Sequence, residues 1–467
     1  MDENTIINSL VQKARAAANQ IVSYSQEQID DVCFSIGWEM YKDENLVKMA
    51  DLELEETTLG LYDDKLKKHK GKVMGAITDI TGAKTVGLIE KDEAKGISKY
   101  AKPIGVVGAL CPITNPTVTP ASNAIAILKG RNAVIFAPHP GAKKVTALSV
   151  ELMRDGLRKV GAPEDLIQVI EEPSIELTNT LMRSVDLIVA TGGAPMVKAA
   201  YSSGTPAYGV GPGNSCQIVA EDANISDTAD KVMMSKTFDH ATSCSSENSL
   251  VIHKDLYDKL LKAFEERGCS IIRGDERAAL KDYMWQPNKK GVLAINPKMI
   301  CRSAERIAEG AGIKVPDGTR VLIVEGEANI ENDKFAEEKL SPVLTVYKYS
   351  SFEEALSILI RLTDNCGLGH SCGIHTFNKD YIEKLSLTMN TSRILVRQPQ
   401  AQGNGGAFFN GMPSTTTLGC GTWGGAITTE NIHYKHFINV TWVSEPVDRQ
   451  RPADDEVWGK FWEKHGK

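Results

Sequence analysis

No apolar run in this 467-residue chain approaches the roughly 20 residues that a membrane-spanning helix requires. The opening MDENTIINSL is acidic where a secretory signal would be basic, so a cytoplasmic protein is expected. A surplus of positive charge is missing too. With 53 Lys and Arg against 60 Asp and Glu, the net charge of −7 leaves little to displace counterions from nucleic-acid phosphates. Neither a membrane nor a nucleic acid is an expected partner. The nine cysteines are odd in number and include no CxxC pair, which argues for free thiols in a reducing compartment rather than a disulfide framework or a zinc site. Internal repeats, low-complexity tracts and long charge runs are absent as well.

What is present suits an ordinary folded enzyme: 42% hydrophobic and 24% charged residues, with 39 glycines to supply turns. The length exceeds what one core usually serves, so two domains are expected. Ser25-x-x-Gln28 has the form of a capping box, and Ile29, Val32, Cys33, Ile36 and Met40 follow at helical spacing, which predicts a mostly helical first ninety residues. From about residue 104, short apolar runs (IGVVGAL, NAVIFAP, LIQVI, LIVAT, SCQIVA) alternate with amphipathic stretches, which implies an α/β architecture with a parallel sheet. A second such series starts near Ser249 with SLVIH and continues through VLIVEG and SRILV, placing a boundary near residue 227. The tail KHFINVTWV reads as a terminal strand that completes a neighbouring sheet or a subunit interface.

Four segments could carry chemistry. In LIVATGGAPMVKAAYSSG a strand runs through Thr191-Gly192-Gly193 into a helix, a turn that either admits a dinucleotide or is simply tight. Asn115-Pro116 has the form of a helix start, making Asn115 a cap or a donor to a developing oxyanion. Cys244, among Thr242, Ser243, Ser245 and Ser246, sits in a polar loop entering a strand, where a thiol is reachable and partly ionised. In EEKLSPVLTVY, Glu337 and Glu338 are either solvated helix ends or a holder of ribose hydroxyls.

These segments, as PITNPT, GRNAVIFAPHPGAKK, ATGGAPMVKAAYSSGTPAYGVGPGN, SCSSENS, EEKLSPV and TTTLGCGTWGG, occur in the same order in the aldehyde dehydrogenase superfamily. The chain most resembles its coenzyme A-acylating branch, over almost its whole length. The resemblance implies a Rossmann-like nicotinamide domain over 1–227 with a bridging segment near 95–110, and a catalytic domain over 228–425. It also implies an oligomerisation strand and tail over 426–467, in a homodimer or homotetramer. It makes Cys244 the nucleophile and Asn115, with the Cys244 amide, the oxyanion hole. Ile113, Thr114, Pro138, His139, Thr191, Gly192, Gly193, Gly211 and Glu338 would lie along NAD or NADP, and no metal is implied.

Two departures from hydrolytic members point to coenzyme A as the acyl acceptor. Gly209 occupies the position of the glutamate that activates water in those enzymes, so water attack on a thioester should be slow. Ala137-Pro138-His139-Pro140 replaces a lysine that grips the adenosine ribose, which removes the usual basis for choosing NAD over NADP. His139, Lys143 and Lys144 either meet phosphates or form a solvated helix start. Arg397, in VRQP, together with His240 and Thr242 near the thiol, suggests an aldehyde with an anionic tail, gripped by two hydrogen bonds. The alternative for Arg397 is a surface ion pair. TSCSSEN resembles the sulfoacetaldehyde-acting enzymes, so sulfoacetaldehyde ranks first, succinate semialdehyde second and short neutral aldehydes third. His370 is either a satisfied core histidine or an active-site residue, and Cys366, Cys372 and His375 match no zinc spacing.

Overall fold

The computed structural model describes residues 3–288 and 291–467. Four helices open the chain: Glu3–Ile21, Gln26–Tyr41, Asp43–Thr57 and Tyr62–Ile80. The capping box forms as expected, Gln28 N–H donating to Ser25 Oγ at 3.2 Å and Ser25 N–H to Gln28 Oε1 at 2.9 Å. The second helix buries Ile29, Val32, Cys33, Ile36 and Met40, the stripe its spacing predicts. It packs against helix Lys143–Lys159 so closely that a Cβ on Gly156 would lie 2.9 Å from the Ile36 Cα.

The first sheet is parallel and five-stranded, in the order Ile167–Val169, Ala133–Ala137, Val106–Leu110, Leu187–Thr191, Ala207–Val210. Helices cover both faces, which is why the strands are continuous apolar runs rather than alternating ones. The chain leaves Val106–Leu110 in one direction and returns to its other side at Leu187–Thr191. That reversal opens a crevice at the carboxyl ends of the strands, where α/β sheets bind ligands.

The second sheet is also parallel, seven strands in the order Cys269–Ile272, Val321–Glu325, Val343–Tyr349, Glu247–His253, Ser215–Val219, Cys372–His375, Ile394–Val396. Ser215–Val219, which the alternation assigns to the first series, belongs here. The change of sheet therefore falls between Val210 and Ser215, ahead of residue 227. A third, antiparallel sheet joins Gly87–Asp92, Ile97–Lys102 and Asn439–Ser444. The segment near 95–110 is thus divided, its first strand in this small sheet and Val106–Leu110 at the centre of the five-stranded one. All six residues of Asn439–Ser444 are exposed, and the Lys99 ammonium lies 4.4 Å over the Trp442 ring. Among the described residues no helix is long and apolar enough to cross a membrane.

Candidate active site

Cys244 lies in a turn between helix Ile225–Thr237 and the fully buried strand Glu247–His253. Just before it, Asp239, His240 and Ala241 adopt φ of 50°, 50° and 59°, three successive non-glycine residues in the left-handed region. Such backbone costs about 1–3 kcal/mol per residue and persists only where surroundings enforce it. Asp239 supplies the enforcement: fully buried, it donates its N–H to Asp64 Oδ2 and accepts from Leu61 N–H, Thr242 Oγ1 and the Lys68 ammonium. The loop is gripped from behind by the helical region, leaving the thiol directed at a cavity.

That cavity has a volume of about 630 Å³, and Asn115, Cys244, Lys68, Lys72 and Asp79 are among its lining residues. Helix Val118–Lys129 begins later than Asn115-Pro116 predicts, with Thr117 at its cap position, so Asn115 is not the cap. Its amide Nδ2 makes one long contact, 3.3 Å to Thr114 Oγ1, and faces the same space as the thiol.

His370, which the sequence left undecided between core and site, lies against the thiol. Its Nε2 lies 3.3 Å from Cys244 Sγ and its Nδ1 2.8 Å from Ser371 Oγ. With Nδ1–H donated to the serine, the Nε2 lone pair faces the thiol. Burial holds the imidazole down to about 3, with nearby Arg393 acting in the same direction, so the ring is neutral at physiological pH. Arg393, only 3% exposed, locks the histidine from below by donating to the carbonyls of His370 (2.9 Å) and Gly419 (2.6 Å) and to Asn431 Oδ1 (3.1 Å).

The expectation of a partly ionised thiol is corrected. Burial pushes Cys244 up to about 12, with the Glu338 carboxylate adding to the effect. The neighbouring serines bond to one another and to the backbone rather than stabilising a thiolate; Ser243 and Ser245 hydroxyls sit 2.8 Å apart. Glu338 itself is raised to about 8 by burial, and its Oε1 is buried without a partner. Gly213 brings the connecting loop against Cys244: a Cβ there would lie 2.2 Å from the Cys244 carbonyl oxygen, so only glycine fits.

The residues expected along a dinucleotide converge. Ile113 and Thr114 follow strand Val106–Leu110, Pro138 and His139 follow Ala133–Ala137, Thr191 to Gly193 end Leu187–Thr191, and Gly211 follows Ala207–Val210. All stand at the carboxyl ends of four adjacent strands, around the crevice, and the orphaned Glu338 oxygen is an acceptor suited to a sugar hydroxyl. This arrangement fits a nicotinamide dinucleotide. Lys143 pairs with Glu172 and is not a free phosphate ligand, while Glu56 takes the backbone N–H groups of Lys144 and Val145 at 2.9 and 2.8 Å. His139 caps its own turn through Nδ1. Gly209, within strand Ala207–Val210, is walled by the side chains of Val197 and Tyr201, 2.7 and 2.8 Å from where its Cβ would be, so any side chain there would require both to shift.

The expected anion grip is corrected. Arg397 is not among the cavity-lining residues; it donates to the Thr376 carbonyl and lies 4.4 Å over the exposed Phe377 ring. It follows the edge strand Ile394–Val396 of the seven-stranded sheet, whereas Arg393, just before that strand, donates to the His370 carbonyl. His240 and Thr242 also lie behind the loop: Thr242 is bonded to Asp239 and Lys68, and His240 is half-buried beside Asp64 and Arg302. Among the described residues one group could hold a metal ion, Glu430, His433 and His436, outside this cavity. Both ring nitrogens of His436 are already engaged, Nδ1 by the His433 N–H at 3.1 Å and Nε2 by Glu430 at 3.2 Å.

Comparison with known proteins agrees with this geometry. The model of the aldehyde dehydrogenase family matches residues 3–425. The chain is 60% identical over 456 residues to a sulfoacetaldehyde dehydrogenase of Acholeplasma sp, covering 98% of this chain and 94% of that protein. It is 56% identical over 458 residues to the sulfoacetaldehyde dehydrogenase (acylating) of Bilophila wadsworthia, covering 98% of each. An acetylating aldehyde dehydrogenase from Geobacillus thermoglucosidasius superposes with a TM-score of 0.92 at 34% identity, over 97% of this chain and 98% of that one. A Rhodopseudomonas palustris propionaldehyde dehydrogenase with bound CoA and an acylated cysteine superposes with a TM-score of 0.82 at 27% identity, over 94% and 97%.

Proposed function

The chain belongs to the aldehyde dehydrogenase family, and from that premise we propose that it oxidises sulfoacetaldehyde to sulfoacetyl-coenzyme A, reversibly, through a thioester on Cys244. The observation that carries the reading is the placement of Cys244 Sγ against a neutral His370 on a cavity shared with Asn115, with no side chain at Gly209. Names of relatives supply the substrate: two of them act on sulfoacetaldehyde by their names, one of these as an acylating enzyme.

Each step follows from a group in place. His370 Nε2 takes the thiol proton in concert with addition of Sγ to the aldehyde carbon, so that no free thiolate has to form at a thiol raised to about 12. The Asn115 amide and the Cys244 N–H hold the alkoxide. A bound oxidised nicotinamide, held by the residues around the crevice and by Glu338, supplies the hydride acceptor and a positive charge. His370 passes the first proton to solvent; coenzyme A then enters, His370 Nε2 accepts its thiol proton, and as the acyl group passes from one sulfur to the other that proton goes to the departing Cys244 sulfur, so one proton is released per turnover. Glu338 does not substitute for the missing water-activating base, because a carboxyl raised to about 8 is protonated at neutral pH.

The test is formation of reduced nicotinamide from sulfoacetaldehyde, succinate semialdehyde, acetaldehyde and propionaldehyde, with and without coenzyme A. We expect turnover with sulfoacetaldehyde to be fastest and to need coenzyme A beyond the first equivalent. Multiple turnovers at comparable rate without coenzyme A would favour a hydrolytic enzyme.

We also propose that the exposed strand Asn439–Ser444 pairs with a second copy, giving a homodimer or homotetramer; Val440, Trp442 and Val443 leave an apolar edge in water on a single chain. Light scattering of the native protein should give a multiple of the 50.9 kDa chain mass, and a monomer would contradict it. The nine free cysteines support a cytoplasmic location.

A further inference from the structure

We propose that Lys72 is the specificity-determining residue that receives the anionic tail of the aldehyde, a role the sequence gives no reason to assign to it. The proposal rests on the functional reading above and deepens it. Helix Tyr62–Ile80 presents Lys68, Lys72, Gly75 and Asp79 to the cavity at spacings of four, three and four, one face of the helix. Gly75 allows the close approach of this face to the loop 405–416, since a Cβ there would meet Ser414 Oγ at 2.5 Å.

The lysines of this helix differ in how their charge is met. Lys65 is paired with Glu53 at 2.6 Å, and Lys68 with Asp239. Lys72 has no carboxylate within ion-pair distance among the described residues. Its ammonium donates to two backbone carbonyls of the cavity wall, Gly405 and Gly406, the latter at 3.2 Å. Carbonyls orient an ammonium without cancelling its charge, and an ammonium carries three donors, so one remains for a ligand. Burial brings Lys72 down to about 8 while Asp79 and Cys244 act in the opposite sense, so the cavity offers a cation that an added anion would stabilise.

A two-carbon aldehyde bonded at Cys244 must direct its tail into this cavity, and a sulfonate is charged at every physiological pH. Three cations, Lys67, Lys68 and Lys72, line the cavity against one anion, Asp79. Only Lys72 combines an uncancelled charge with electrostatic contact to the nucleophile. Arg397, stacked on Phe377, has neither.

The experiment compares kcat/KM for sulfoacetaldehyde and propionaldehyde in the parent, Lys72→Met and Lys72→Arg. The ratio of the two is expected to fall about 30-fold in K72M, equivalent to about 2 kcal/mol, and to recover largely in K72R. Inhibition by ethanesulfonate, which cannot react, should weaken in parallel. An unchanged ratio, or a loss shared equally by both aldehydes, would overturn the proposal. So would an effect confined to the KM for coenzyme A, which would assign the lysine to a phosphate of that substrate. Failure of the acylating reading itself is separate: it would appear in the parent as turnover that does not require coenzyme A. Ethanesulfonate binding to K72M, followed by calorimetry, still decides the case if that variant is inactive.

Discussion

Replacing Cys244 by alanine is expected to lower coenzyme A-dependent formation of reduced nicotinamide by about 10⁴-fold or more, the scale seen when a covalent nucleophile is removed. The size follows from the absence of a substitute. The other eight cysteines are elsewhere, and Cys420, which packs in the same small apolar cluster, donates its thiol to the Leu418 carbonyl at 3.4 Å. Ser243 and Ser245 are bonded to one another, and neither reaches His370. The dinucleotide crevice is built from a different sheet, so cofactor binding followed by fluorescence should survive the substitution. A variant that keeps a tenth of the activity would mean that the thiol is not the nucleophile.

His370→Ala should cost about 10²–10⁴-fold in kcat, the usual contribution of a positioned base. The pH dependence is the sharper readout. A thiol raised to about 12 and deprived of its proton acceptor can react only through its ionised fraction. In the variant, kcat/KM should therefore climb by about tenfold per pH unit between pH 7 and 9, where the parent, with its base neutral throughout, rises far less. Both half-reactions should be affected, since the same nitrogen takes a proton first from Cys244 and then from coenzyme A. A loss below about threefold, or a profile parallel to the parent's, would reduce His370 to packing.

The fold was legible where local pattern and tertiary role coincide. Ser25 and Gln28 cap the helix that buries Ile29 to Met40, and the apolar runs from Val106 onward are strands because helices cover both faces of their sheet. The run SCQIVA was legible as a strand but not as a member of the second sheet; nothing local distinguishes parallel strands of one sheet from those of another. At the site, chain position was readable and electrostatics were not. Polar letters around Cys244 suggest an ionised thiol, yet Ser243 and Ser245 bond to each other and desolvation dominates. Arg397 attracted attention as an unusual letter in VRQP, while Arg393, four residues earlier, carries the buried contacts to His370 and Gly419. Nothing local in DDKLKKHKGKV marks which lysines turn inward; the docking of that helix over Cys244 brings Lys68 and Lys72 to the cavity.

The central claim, an acyl group carried by Cys244 and released by a thiol rather than by water, is tested most directly by mass spectrometry of the protein mixed with sulfoacetaldehyde and oxidised nicotinamide. The account predicts an acyl adduct on the peptide containing Cys244 that persists in buffer and disappears within one turnover when coenzyme A is added. An adduct on another residue, or one that water discharges as fast as coenzyme A does, would contradict it.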